Sequence, residues 1–160
     1  MPIGVLFVCS ANICRSPMAK GVFRAMVQRA GLEHAFTVDS AGTLEGHDGQ
    51  PAAPFALGAA RRRGYDISDH VSRTLSNEDL ERFALPLGMD RGHLAAMRWM
   101  APRPVADRPQ LLLKFAPRFG LEITDPFGGP PNGYEEALDL IEAGCKGLLA
   151  ALTPLTEKAS

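Results

Sequence analysis

Four apolar residues, Val5-Leu6-Phe7-Val8, run directly into Cys9, and the turn that follows closes on Arg15-Ser16-Pro17. An amphipathic pattern begins at once. This order predicts a buried strand, a tight loop and a helix N-terminus. Such a junction is suited to an oxyanion, because unpaired backbone N–H groups and the helix dipole converge on one spot.

The rest of the chain limits what that junction can serve. Its 160 residues suffice for one domain, residues 1–160, with one sizeable core. A net charge of −1 gives no general attraction for nucleic acid or an anionic membrane, so neither is expected as a partner. No apolar run approaches a membrane span, and the N-terminus lacks the basic start and small-residue cleavage site of a signal peptide. Three cysteines, Cys9, Cys14 and Cys145, are an odd count without export signals, which argues for reduced thiols and a cytoplasmic location. No second ligand pair accompanies Cys9 and Cys14 at zinc-site spacing, so no metal is expected.

Strand-like and helix-like segments alternate. Residues 3–8 form an apolar run typical of a strand buried on both faces. Ser16 is placed as the N-cap of the next helix with Pro17 in its first turn, and Val22, Phe23, Met26, Val27 and Ala30 share one helical face up to a C-cap at Gly31. Residues 36–40 read as a second strand, and residues 44–54 as a loop lying over a site. A helix over 55–63 follows, its Arg61-Arg62-Arg63 run taken as a solvated face. Ser76 and Asp79 form a capping-box pattern for a helix through Phe83. Residues 84–89 are expected as a third strand despite Pro86, and 91–100 as a helix with Leu94, Met97 and Trp99 toward the core. Residues 111–115 read as a fourth strand, 124–133 as a turn-dense loop, and 134–152 as the last helix with Cys145 on its buried stripe. The sum is a three-layer α/β/α sandwich on a four-stranded parallel sheet, whose ligand site lies at the carboxyl ends of the strands. Cys9 and Asp125 both follow strands.

The Cys-x5-Arg spacing has a chemical reading. Five intervening residues let backbone N–H groups encircle a tetrahedral oxyanion, and the Arg15 fork can clamp two of its oxygens. The same field favours the thiolate of Cys9, to which Ser16 can donate a hydrogen bond. Cys9 can then attack phosphorus while an ester oxygen leaves. That oxygen needs a proton. Asp125, ahead of Pro126, is the favoured acid, although pattern alone leaves other carboxylates open. A cysteine at a strand end is more often a small buried residue, and Cys14 reads equally as a packed thiol under the loop.

Residues 8–19, Val-Cys-Ser-Ala-Asn-Ile-Cys-Arg-Ser-Pro-Met-Ala, closely resemble the phosphate-binding loop of the low molecular weight protein tyrosine phosphatases. Asp39-Ser40-Ala41-Gly42-Thr43, His70 to Arg73, Met89-Asp90 and Asp125-Pro126-Phe127 also fall at matching places, so the resemblance covers nearly the whole chain. It implies Cys9 as nucleophile, Arg15 as phosphate clamp and Asp125 as general acid and base. Ser10, Ala11, Asn12, Ile13, Cys14 and Ser16 would complete the loop. Asn12 would hold a strained backbone, supported by Ser16, Ser40 and His70. Cys14 would form a reversible disulfide with Cys9. No metal or organic cofactor is implied. A phosphotyrosine-bearing protein, such as a bacterial tyrosine kinase, is the expected partner, and a monomer or weak dimer the expected state.

The chain departs from the family at several places. Ala11 replaces a common Gly and would carry strain if that position needs positive φ. Lys20 replaces an acidic residue, which puts an ion pair with Arg73 in doubt. Gly46, next to His47, falls near a usual aromatic wall, so Phe127 is the wall expected to remain. Ile13 favours phosphotyrosine over phosphoarginine, since relatives acting on the latter tend to carry Thr there. Alternatives are a phosphate-binding module without turnover and an arsenate reductase. The latter lacks its further redox cysteines near residues 80–95.

Overall fold

The computed structural model describes residues 1–158. Its strands are β1 (Ile3–Cys9), β2 (Phe36–Gly42), β3 (Leu85–Gly88) and β4 (Gln110–Leu111). Its α-helices are α1 (Arg15–Arg29), α2 (Pro54–Arg62), α3 (Asn77–Arg82), α4 (Arg91–Met100) and α5 (Pro131–Lys158). The sheet order is β2-β1-β3-β4, and every pairing is parallel.

The continuous apolar run of β1 has the expected cause. Val5, Phe7 and Cys9 face one core, which α1, α2 and α5 cover, while Leu6 and Val8 face a second, closed by Leu75, Leu80, Phe83 and Met97 around α3 and α4. A central parallel strand has no solvent face, so the period-2 alternation separates two cores instead of core from water. Phe23 of α1 stands edge-on to Phe7 and Phe36, with ring centroids 5.8 and 5.4 Å apart. These contacts fix α1 across β1 and β2, and hence the loop between β1 and α1.

Pro86 is tolerated in β3 because β4 pairs only with Leu87 and Gly88, leaving Pro86 a strand neighbour on one side only. The fourth strand is shorter than its apolar run. It ends at Leu111, and Leu112–Phe115 wind into a 3-10 turn against α5. Apolar periodicity cannot separate strand pairing from helix packing over so few residues. Two glycines of α5 make the close approach possible: a Cβ on Gly144 would lie 2.7 Å from Leu112 Cγ, and one on Gly147 1.9 Å from the Phe115 carbonyl oxygen.

Other expectations are corrected. Trp99 is 89% exposed, whereas Met97 is buried and Leu94 is partly so. Residues two apart on a helix point in nearly opposite directions, so burying Met97 turns Trp99 to water. The arginine run is not simply solvated. Arg62 pairs with Glu135, and Arg63 sits among Glu135, Asp139 and Glu142 of α5. Burial works against the Arg63 cation, but the surrounding carboxylates outweigh it and keep it charged. This cluster clips α2 to α5. The last helix also begins earlier and runs further than 134–152, taking Pro131 into its first turn.

Gly147→Ala tests the glycine seam. Alanine has the higher helix propensity by about 1 kcal/mol, yet a methyl group against the Phe115 carbonyl forces the layers apart. A net destabilisation of about 2 kcal/mol is expected in urea unfolding. A stabilised variant would contradict the packing described.

Candidate active site

The loop from Cys9 to Arg15 is held by its carbonyls. Thr43 N–H donates to Cys9 O and Leu44 N–H to Ser10 O, both at 2.9 Å, and Ala53 N–H donates to Ile13 O at 2.8 Å. His70 Nε2 lies 2.6 Å from Asn12 O, so that nitrogen must carry the proton. With the carbonyls engaged outward, the loop amides are the groups left to meet a ligand. Gly42, in register with Cys9, makes room: a Cβ there would lie 2.6 Å from Ser10 O.

Asn12 has φ 60°, the one positive φ outside glycine among the described residues. Ala11 is therefore not the strained position, because the left-handed turn falls one residue later. Asn is among the residues that best tolerate that region. Its side chain holds it there: Nδ2 donates to Ser16 Oγ at 2.8 Å and Ser40 Oγ at 3.0 Å, and Oδ1 accepts from Arg73 N–H at 3.0 Å. Ser16 Oγ lies 2.9 Å from Cys9 Sγ. Since Asn12 already donates to that oxygen, the Ser16 proton is free to point at the sulfur. Ser16 is thus committed to the loop. The N-cap position of α1 falls on Cys14, without a side-chain cap, in place of the expected Ser16.

Arg15 is 2% exposed. Its Nη1 donates to Asp90 Oδ2 at 2.9 Å and to Ile123 O at 2.8 Å, while Nη2 lies 3.4 Å from Ser10 Oγ and 3.7 Å from Asp125 Oδ2. Nε is buried without a hydrogen-bond partner among the described residues. Burial alone would raise the Asp90 pKa, but the Arg15 hydrogen bond and its other neighbours outweigh that and lower it. Asp125 is half exposed, and its Oδ1 accepts from Phe127 N–H at 3.1 Å. Ile123 N–H binds Met89 O at 2.9 Å, which anchors the base of the Asp125 loop to the end of β3.

His93 was not singled out by the sequence, nor were Asp90's contact with Arg15 and the role of Gly42. The available signal was Asp90 three residues before His93 at a strand-to-helix junction, a capping pattern. Asp90 Oδ1 accepts from His93 N–H at 3.1 Å, and His93 Nδ1 accepts from the N–H of Met89 and of Asp90, both at 3.2 Å. An Nδ1 that accepts cannot carry the proton, so Nε2 does, and it donates to Ser10 Oγ at 3.0 Å. Burial pushes the His93 pKa down to about 4.

These groups surround a cavity of about 260 Å³, with Cys9 and Arg15 at its base, Asp125 at its side and Leu44, His47 and Phe127 as walls. Gly46 is not a wall. It turns the loop at φ 88°, and its neighbours Leu44 and His47 reach the cavity instead. Cys14 also borders the cavity, but burial pushes its pKa up to about 12, and its Sγ lies 3.9 Å from the Tyr134 hydroxyl. Lys20 pairs with Asp39 at 3.0 Å, and Arg73 finds acidic partners in Asp39 at 3.2 Å and Asp79 at 2.9 Å, so the Lys20 departure leaves Arg73 well paired. No cluster of His, Cys, Asp and Glu suited to a metal ion occurs among the described residues. Nor is any helix among them long and apolar enough to cross a membrane.

Known proteins resemble this chain over nearly its whole length. Residues 4–158 match the family described as low molecular weight phosphotyrosine protein phosphatase. A low molecular weight protein-tyrosine-phosphatase of Streptomyces coelicolor is 41% identical, over 98% of each chain. Among solved structures, a protein tyrosine phosphatase of Entamoeba histolytica superposes with a TM-score of 0.91 at 29% identity, covering 95% of this chain and 97% of that one. YfkJ of Bacillus subtilis gives 0.90 at 34% identity, covering 96% of each.

The depressed His93 pKa has a signed consequence. Free histidine titrates near 6.5, so below that pH the unfolded chain takes a proton that the native site refuses. Native stability should therefore fall as pH drops from about 6.5 toward 4, by about 2 kcal/mol from this residue once residual hydration is allowed for. Urea midpoints at both ends of that window should show a smaller acid loss in His93→Asn than in the wild type. Equal losses would contradict the neutral, proton-accepting role given to Nδ1.

Proposed function

Because the chain belongs to the low molecular weight phosphotyrosine protein phosphatase family, we propose that it hydrolyses phosphotyrosine on proteins through a cysteinyl-phosphate. The observation that carries this reading is the buried Arg15, whose Nε has no hydrogen-bond partner among the described residues and which lines one cavity with Cys9 and Asp125. A buried guanidinium with one donor unused is matched by a phosphoryl oxygen.

In the first step Cys9 Sγ attacks phosphorus. The Ser16 hydroxyl stabilises the thiolate, and Arg15 with the loop amides binds the non-bridging oxygens as charge shifts onto them. Asp125 gives its proton to the departing phenolic oxygen. In the second step Asp125, now a carboxylate, takes a proton from water, which attacks phosphorus. The S–P bond breaks, and inorganic phosphate and the thiolate are released. Apolar walls from Ile13, Leu44 and Phe127 suit an aryl ring better than the short stem of phosphoserine. They also offer a guanidinium little polar company, which favours phosphotyrosine over phosphoarginine. Cys14 is proposed as resolving thiol: after peroxide converts Cys9 to a sulfenic acid, Cys14 sulfur displaces water to form the disulfide. Its raised pKa keeps it a protonated thiol until then.

The test is a side-by-side rate comparison on phosphotyrosine, phosphoserine and phosphoarginine peptides, with p-nitrophenyl phosphate as reference. Phosphotyrosine should be fastest. Cys9→Ser should abolish turnover while retaining phosphate binding, and Asp125→Asn should lower kcat on phosphotyrosine by about a hundredfold or more. Phosphate binding without turnover by the wild type would make the protein a binding module. A higher rate on phosphoarginine would overturn the substrate assignment.

A further inference from the structure

Phe127 is a wall of the catalytic cavity on one side, and on another it borders a separate groove of about 320 Å³. Ala53, Pro54, Phe55, Gly128, Gly129 and Tyr134 complete its lining. No charged side chain lines it. Phe55 is 49% exposed and Phe127 63% exposed, with the Phe55 ring edge-on to Tyr134 at 5.6 Å between centroids.

Core packing does not account for this surface. The buried stripe of α2 is Ala56, Ala59 and Ala60, so helix docking would be served without an aromatic residue at position 55. Two half-exposed aromatic rings facing a shared groove beside a catalytic cavity form an apolar patch whose burial is gained only when something binds.

We infer that the Phe55–Phe127 groove is a subsite for an apolar side chain flanking the phosphotyrosine of a protein substrate. The inference rests on the phosphotyrosine reading above. The occupant follows from continuity: the groove and the catalytic cavity share Phe127, and consecutive Cα atoms are 3.8 Å apart. A chain whose phosphotyrosine fills the cavity therefore lays a residue one or two positions away across the groove. The lining decides the chemistry. With no cation present, an acidic neighbour loses hydration without gaining a partner, whereas a leucine or phenylalanine buries its surface against two rings.

The test uses phosphotyrosine peptides carrying Leu, Phe, Ala or Asp at each position within two residues of the phosphotyrosine. The expected result is a kcat/KM about tenfold higher for Leu or Phe than for Asp at one position, expressed mainly in KM. Phe55→Ala should erase that preference while leaving kcat/KM on p-nitrophenyl phosphate unchanged, and Phe55→Leu should restore most of it. Uniform rates across the peptides, or a preference that survives Phe55→Ala, would overturn the inference while the phosphatase reading stands. Loss of p-nitrophenyl phosphate turnover in the wild type would instead remove the phosphatase reading. If Phe55→Ala dissolves a dimer in sedimentation without altering peptide preference, the groove is a contact between copies and the subsite is refuted.

Discussion

The structure depends on burying one arginine. Removing a guanidinium from water costs several kcal/mol unless its protons find acceptors. Arg15 meets most of that requirement with two groups from distant parts of the chain, Asp90 at the end of β3 and Ile123 in the loop before α5, and with Ser10 of its own loop. The first two contacts tie distant segments to the carboxyl edge of β1. The parallel order β2-β1-β3 makes this possible, since it delivers the ends of adjacent strands to one rim. The Nε left over is then a consequence of geometry. Asp90 and Ile123 both take their hydrogen bonds from Nη1, and neither reaches Nε.

A second constraint is local. The loop reverses direction through Asn12 at positive φ, which a non-glycine residue sustains only when its surroundings over-determine it. Ser16, Ser40 and Arg73 fix the Asn12 side chain, and His70 fixes its carbonyl. Arg73 is in turn held by Asp39 and Asp79, so the loop's shape rests on an ion-pair network in the second strand and its neighbours. Burial lowers the His70 pKa, which keeps the ring neutral and its Nε2 proton directed at the loop near neutral pH. The loop is therefore preorganised from beneath by a neutral histidine and by paired charges.

What the sequence revealed and what it hid follow from the range of the interactions. β1, the loop and α1 were legible because the apolar run, the Cys-x5-Arg spacing and the helical face are contiguous. The capping box at Ser76 and Asp79 was legible for the same reason. The 3-10 turn at Leu112–Phe115 was not, because only two glycines some thirty residues away in α5 decide that the segment packs on a helix. His93 was hidden by its tautomer. Nothing local indicates that one histidine nitrogen will accept two backbone protons while the other meets a serine of the Cys9–Arg15 loop. The Ala11 concern failed by one residue, since spacing locates a turn but not the residue that takes the left-handed conformation. Gly46 itself adds no wall, and spacing did not show that Leu44 and His47, on either side of it, would line the cavity.

The departures from the family pattern divide by depth in the cavity. Around the loop, substitutions are compensated within the fold: Ala11 stays out of the positive-φ region, and Asp39 bridges Lys20 and Arg73. At the rim, no such compensation operates, because those side chains face solvent and are free to vary without straining the loop. Leu44, His47, Phe55 and Phe127 lie there, and they present apolar and aromatic surface with little charge. The deep part of the site is constrained by the geometry of a tetrahedral anion and by the cost of burying Arg15. The rim carries no such constraint, because exchanging Leu44 or Phe127 touches neither the Asn12 turn nor the contacts of Arg15 with Asp90 and Ile123.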